Sequence, residues 1–151
     1  MSLINDVTEN IKSAMKAKDK LRLETYRSIK KVLLEKEVSV RPSGQTELTS
    51  EQEMEALISL AKQRRDAIDQ YTSAGRADLA ANEAAELAVI EEFLPKQLSE
   101  EEIGAAIDAM IAKVGATSAK DMGKVMGPVM QELKGKADGK KVQELVKAKL
   151  S

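Results

Sequence analysis

Leu3/Ile4, Val7, Ile11 and Ala14/Met15 fall on one face of a helix, and the same three-to-four spacing of apolar residues returns in the segments that follow, as far as Leu150. No stretch alternates apolar and polar residues as a half-buried strand does. The chain is therefore read as all-α: an N-terminal four-helix bundle-like domain, then a small C-terminal three-helix domain. Composition points the same way. The apolar residues are mostly Ala, Leu, Ile, Val and Met, the polar ones largely Glu and Lys, and this mixture favours helix over strand.

Caps and stops divide the pattern into seven helices. The first spans 2–17. Asp19 caps a second that reaches Val38, with Leu21, Thr25, Ile29 and Val32/Leu33 inward. Residues 39–48, with Arg41-Pro-Ser-Gly-Gln-Thr, carry the strongest loop signal. Ser50-Glu51-Gln52-Glu53 has the form of a capping box and opens a third helix that runs to Ala74, where Gly75 stops it. The fourth covers 78–94 and ends at Pro95, because the residue before a proline is pushed out of the helical region. Residues 1–94 are thus one domain, 95–98 a linker, and 99–151 a second. In the latter, a second capping box at Ser99-Glu-Glu-Glu102 opens a fifth helix to Val114. Thr117 or Ser118 caps a sixth, to Lys134, and Asp138 a seventh, to Leu150. Pro128 predicts a kink or break near Gly127. Gly123 and Gly127, four residues apart, would let another helix approach closely.

The residue types exclude much chemistry. There is no Cys and no His, so thiol nucleophiles, Ser-His-Asp and Cys-His schemes and zinc hydrolase sites are excluded. Helix-borne di-iron sites are disfavoured, since their usual pattern needs Glu-x-x-His. No catalytic residue, metal site or cofactor is assigned. Three aromatics, Tyr26, Tyr71 and Phe93, cannot furnish the stacking platforms of single-strand RNA modules. Charges interrupt every apolar run well before the roughly 20 residues a membrane span needs. The first residues carry acids where a signal peptide has its basic segment, so the chain reads as cytoplasmic.

Two groups of charges stand out. A hairpin about Gly75 should bring Arg64/Arg65 near Glu86, and Glu83 and Glu86 interrupt the apolar stripe of helix four. A general acid–base pair is one reading. An internal ion pair of Arg64, Arg65, Glu83 and Glu86 is the favoured one, because half-buried carboxylates need a partner to offset desolvation. The stripe Met122, Val125/Met126, Val129/Met130 and Leu133 reads as core more readily than as an adaptable binding face.

The second group is basic. Residues 113–150 carry nine lysines against four acids and net plus five, while 1–112 nets minus six. Residues 1–41 are also basic, with ten cations and six acids, and 42–112 nets minus ten. Gly135-Lys-Ala-Asp-Gly139-Lys140 is not a phosphate loop: its glycines are too close, Lys141 stands where Ser or Thr is required, and no strand precedes it. The helix start at Asp138, ringed by Lys134, Lys136, Lys140 and Lys141, could still receive a phosphate. Lys124 and Lys147 extend this candidate nucleic-acid-binding set. On charge alone, a solvated, solubilising face is an equal reading.

Several segments resemble the YqeY-like family: Lys62-Gln-Arg-Arg-Asp-Ala-Ile-Asp-Gln-Tyr, Glu83-Ala-Ala-Glu86, Phe93-Leu-Pro-Lys-Gln-Leu-Ser, Asp121-Met-Gly-Lys-Val-Met and Gly135-Lys-Ala-Asp-Gly-Lys-Lys-Val. The resemblance covers nearly the whole chain. It implies a helical bundle followed by a three-helix domain similar to the tail of the B subunit of the glutamine-dependent tRNA amidotransferase, which grips the tRNA elbow. What it implies is therefore tRNA as partner, with a protein of the translation or aminoacylation machinery as a further one and no membrane. It does not imply amidotransferase chemistry, whose active sites lie in other domains. A carbon–nitrogen ligase label, with glutamine as amido donor, would reach this chain only through the shared tail. Pro128 departs from the ordinary helical residue that the resemblance implies. The alternative is a protein–protein interaction adaptor that uses the N-terminal bundle.

Overall fold

The computed structural model describes residues 2–151. Seven α-helices follow one another: α1 (Leu3–Ala17), α2 (Lys20–Val40), α3 (Ser50–Ser73), α4 (Ala77–Glu91), α5 (Glu100–Val114), α6 (Met122–Glu132) and α7 (Gly139–Leu150). Short 3-10 turns stand at Arg41–Ser43 and Ala119–Asp121. No strand occurs among the described residues. The chain divides into two compact units, 1–94 and 95–151.

In the first unit α3 and α4 pack as a hairpin, α2 lies against both, and α1 packs on α2. Val7, Ile29, Leu33, Ala61 and Ile90 are fully buried at its centre. Each large aliphatic side chain so placed contributes about 1.5–3 kcal/mol. The end of α4 is fastened to the start of α2. Arg22 donates from both terminal nitrogens to the Glu92 carboxylate, at 3.1 and 2.9 Å, and from Nη1 to the Tyr26 hydroxyl at 2.9 Å. Those bonds, Glu92 first, push the Arg22 guanidinium further above its ordinary pKa. Tyr26 meets Phe93 edge to face, with centroids 5.9 Å apart.

Several boundaries differ from the sequence reading. Ser2 caps α1 and is not its first residue. The α1–α2 junction turns at Lys18, a non-glycine residue with φ 56°, whose N–H returns to the Met15 carbonyl. The loop is shorter than 39–48, since α2 runs on to Val40 and a 3-10 turn follows. The capping box there is formed by Thr49 with Gln52 rather than by Ser50 with Glu53. Glu53 is engaged elsewhere: its carboxylate accepts the Leu3 N–H at 2.9 Å and ties the starts of α1 and α3 together. Helix α4 ends at Glu91, three residues before Leu94.

In the second unit, α5, α6 and α7 bury Ile103, Ile107, Val125, Val129, Leu133, Val142 and Val146. The Ser99–Glu102 capping box forms as the sequence predicts. Neither Thr117 nor Ser118 caps α6. The Thr117 N–H instead donates to Asp121 at 2.9 Å, and the helix starts later, at Met122, and stops at Glu132. Pro128 does not break α6. The residue before it is Gly127, which lacks the Cβ that normally clashes with a proline ring in helical geometry. No helix approaches Gly123 or Gly127, and a Cβ on either would meet nothing within 4 Å. The close approach lies at Gly139, where a Cβ would come 2.8 Å from the Met130 methyl.

Candidate nucleic-acid interface

The basic residues gather where α6 turns into α7. Gly135 makes that turn possible, with φ 78° and no Cβ to oppose it. Lys134 and Lys136, on either side of it, are both exposed. The turn is not loose. The preceding segment of the same unit lies against it, and Gln97 Nε2 donates to the Gly135 carbonyl at 2.7 Å and to the Pro95 carbonyl at 2.9 Å. The Leu98 N–H donates to the Lys136 carbonyl at 2.9 Å.

At the start of α7 the Asp138 carboxylate accepts the Lys140 N–H at 3.3 Å. The helix thus already has a negative group at its N-terminus, and its positive dipole end is partly answered from within. A phosphate at this helix start would meet the Asp138 carboxylate.

The six lysines singled out from the sequence do not all play one part. Lys140 and Lys147, seven residues apart, share the outer face of α7, with the exposed Glu144 between them. Lys141 points to the α5 side, and its Nζ lies 3.3 Å from Glu100. Lys149, eight residues on, lies 2.8 Å from Asp108, itself eight residues after Glu100. Equal spacing on both helices means that α5 and α7 run in the same direction, with ion pairs along the seam. Gly104 leaves room for the Lys149 stem, whose Cε would lie 3.7 Å from a Cβ there. Lys124 lies on α6, 3.5 Å from Asp121, which accepts the Thr117 N–H. That backbone bond, more than the Lys124 charge, holds the Asp121 carboxyl below its usual pKa. Lys134, Lys136, Lys140 and Lys147 are exposed and line the basic edge.

Unit boundaries also reduce the charge contrast. The count from Lys113 omits Lys96 and Glu100, Glu101, Glu102 and Asp108, which belong to the same unit. Residues 95–151 together carry ten lysines and eight acids, a net of plus two. The positive potential belongs to an edge of the unit, not to all of it.

The Arg64, Arg65, Glu83 and Glu86 group lies in the first unit, across the α3–α4 hairpin. Arg64 Nε is 2.8 Å from Glu86 and 3.5 Å from Glu83, all three side chains being about one-fifth exposed, at 20% and 23%. The Nε–H is not aimed at either carboxylate, so this nitrogen makes a charge contact rather than a hydrogen bond. Arg65 reaches Glu91, at 3.9 Å, and not Glu86.

The clamp of Gln97 on the basic turn and the lysine–acid seam were both missed from the sequence, since each depends on which segments pack against each other. A family model described as Yqey-like protein matches residues 4–150. No curated protein matches the chain.

Proposed function

The chain belongs to the YqeY-like family, and from that premise we propose that it is an RNA-binding accessory protein that engages tRNA through the basic edge of its C-terminal unit. The observation that carries this reading is the exposure of Lys134, Lys136, Lys140 and Lys147 around one short turn and one helix face. The resemblance of its motifs to the amidotransferase tail is the ground for taking tRNA as the RNA. With few aromatics and no stacking platform, recognition rests on phosphate contacts and shape, which suits a folded RNA better than a single strand. Binding, not amide transfer, is the proposed activity.

The test is Lys136→Glu with Lys147→Glu, assayed by filter binding of pooled tRNA at low salt. Neither residue is in an ion pair of the α5–α7 seam. The pair of reversals should reduce affinity by more than 10-fold, and unchanged affinity would overturn the reading.

One observation favours the adaptor as a second reading. Of five exposed large apolar side chains among the described residues, four lie on α1 and α2 or between them: Met15, Leu21, Leu34 and Val38, at 55%, 39%, 41% and 55% exposure. Leu34→Glu with Val38→Glu should then abolish capture of a protein partner and leave tRNA binding intact.

A further inference from the structure

The turn that carries Lys134 and Lys136 is ordered by a residue outside the basic segment. Gln97 is half-buried, and its amide nitrogen is shared between the Gly135 carbonyl at 2.7 Å and the Pro95 carbonyl at 2.9 Å. One residue later the Leu98 N–H takes the next carbonyl, that of Lys136. Leu98 and Ala137 both pack on the core of the unit, so the clamp is anchored on each side. Within the turn, the Lys136 N–H closes on the Leu133 carbonyl at 2.9 Å. Two consecutive carbonyls, those of Gly135 and Lys136, are therefore turned toward residues 97–98.

We propose that Gln97 is a positioning residue of the tRNA-binding edge: by holding the Gly135 carbonyl it fixes the turn that presents Lys134 and Lys136. This rests on the functional reading above and adds to it that the binding edge depends on a residue before the first helix of its unit. Without the amide donor, the Gly135 carbonyl loses its partner and the turn samples other conformations. The same lysines would still reach the same phosphates, but the ordering of the turn would be charged to binding. The signature is a loss of affinity without a loss of phosphate contacts.

Gln97→Met in the full chain removes the donor and keeps the length of the side chain. It should bind pooled tRNA about 5-fold more weakly at each salt concentration, with an unchanged slope of log affinity against log salt. The Leu98 amide, followed by hydrogen exchange, should exchange faster. Gln97→Ala gives the same comparison should the methionine variant misfold. Wild-type affinity in a folded variant, whatever its melting temperature, would overturn the proposal, because a purely structural glutamine changes stability alone. A shallower slope would overturn it too, as it means that lysine contacts are lost outright. Absence of binding by the wild-type chain would instead remove the functional reading, and this proposal with it.

Discussion

Reversing Lys141 should weaken the fold of the C-terminal unit, whereas reversing Lys136 should weaken only the binding of RNA. Lys141 Nζ lies 3.3 Å from Glu100, with the two side chains 43% and 63% exposed. Such a screened pair is worth about 0.2–1 kcal/mol. Lys141→Glu replaces that attraction with a repulsion of similar size, so about 0.5–2 kcal/mol is lost. For a unit this small, 1 kcal/mol moves the melting temperature by about 4–8 °C. A fall of about 5 °C in a circular-dichroism melt at low salt is expected. In 1 M salt, where charges are screened beyond about 3 Å, most of it should vanish. Glu100→Lys in the same chain restores the pair with its polarity swapped and should recover most of the loss. Lys136→Glu should leave the melt unchanged and reduce tRNA affinity several-fold. If Lys141→Glu left the melt untouched yet cost as much tRNA affinity as Lys136→Glu, Lys141 would be a contact residue, and the assignment of the α5–α7 seam would be wrong.

Three other outcomes follow from the structure. Glu86→Gln removes the charge 2.8 Å from Arg64 Nε and leaves Glu83 at 3.5 Å, and should cost about 1 kcal/mol in urea unfolding without altering tRNA binding; unchanged stability would contradict the structural role. Lys18→Gly relieves a side chain held at φ 56° and should add about 0.5–1 kcal/mol, read from the same unfolding curves; a loss of stability would show that Lys18 makes a contact worth more than the strain. Asp121 has a depressed pKa, caused first by the Thr117 N–H, so its stabilisation is present above the ordinary aspartate value of about 3.9 and is lost as pH falls through the lower folded value. The stability gap between wild type and Asp121→Asn should therefore be constant near neutral pH and close below about pH 4, and a gap that persists undiminished to pH 2 would refute the assignment.

What the sequence conveyed, and what it hid, divides along physical lines. Helix identity was legible because each apolar stripe is long, and because Asp19, Ser99, Gly75 and Gly115 act through strictly local bonds. Boundaries slipped where tertiary contacts compete with local ones. Glu53 had two possible partners, the backbone of its own helix start and the distant Leu3 N–H, and only the fold decides for Leu3. Asp121 likewise closes a loop onto Thr117 and delays α6. Pro128 lies inside α6 without ending it, and Gly127 before it removes the Cβ part of the clash that usually ends a helix at a proline. At the candidate site, the lysine-rich turn was visible in the sequence. That Lys141 and Lys149 turn to the α5 seam was not, since it depends on which side of α7 faces Glu100 and Asp108. The net charge counted along the chain also overstated the contrast, because the acids of α5 belong to the same unit as the basic turn.

The most direct test of the central claim is the affinity of the full chain for pooled tRNA, measured at several salt concentrations. With Lys134, Lys136, Lys140 and Lys147 each neutralising one phosphate, the slope of log affinity against log salt should be about −3.6, a drop of roughly 100-fold between 50 and 200 mM. A slope near zero, or no binding at the lowest salt, would contradict the account.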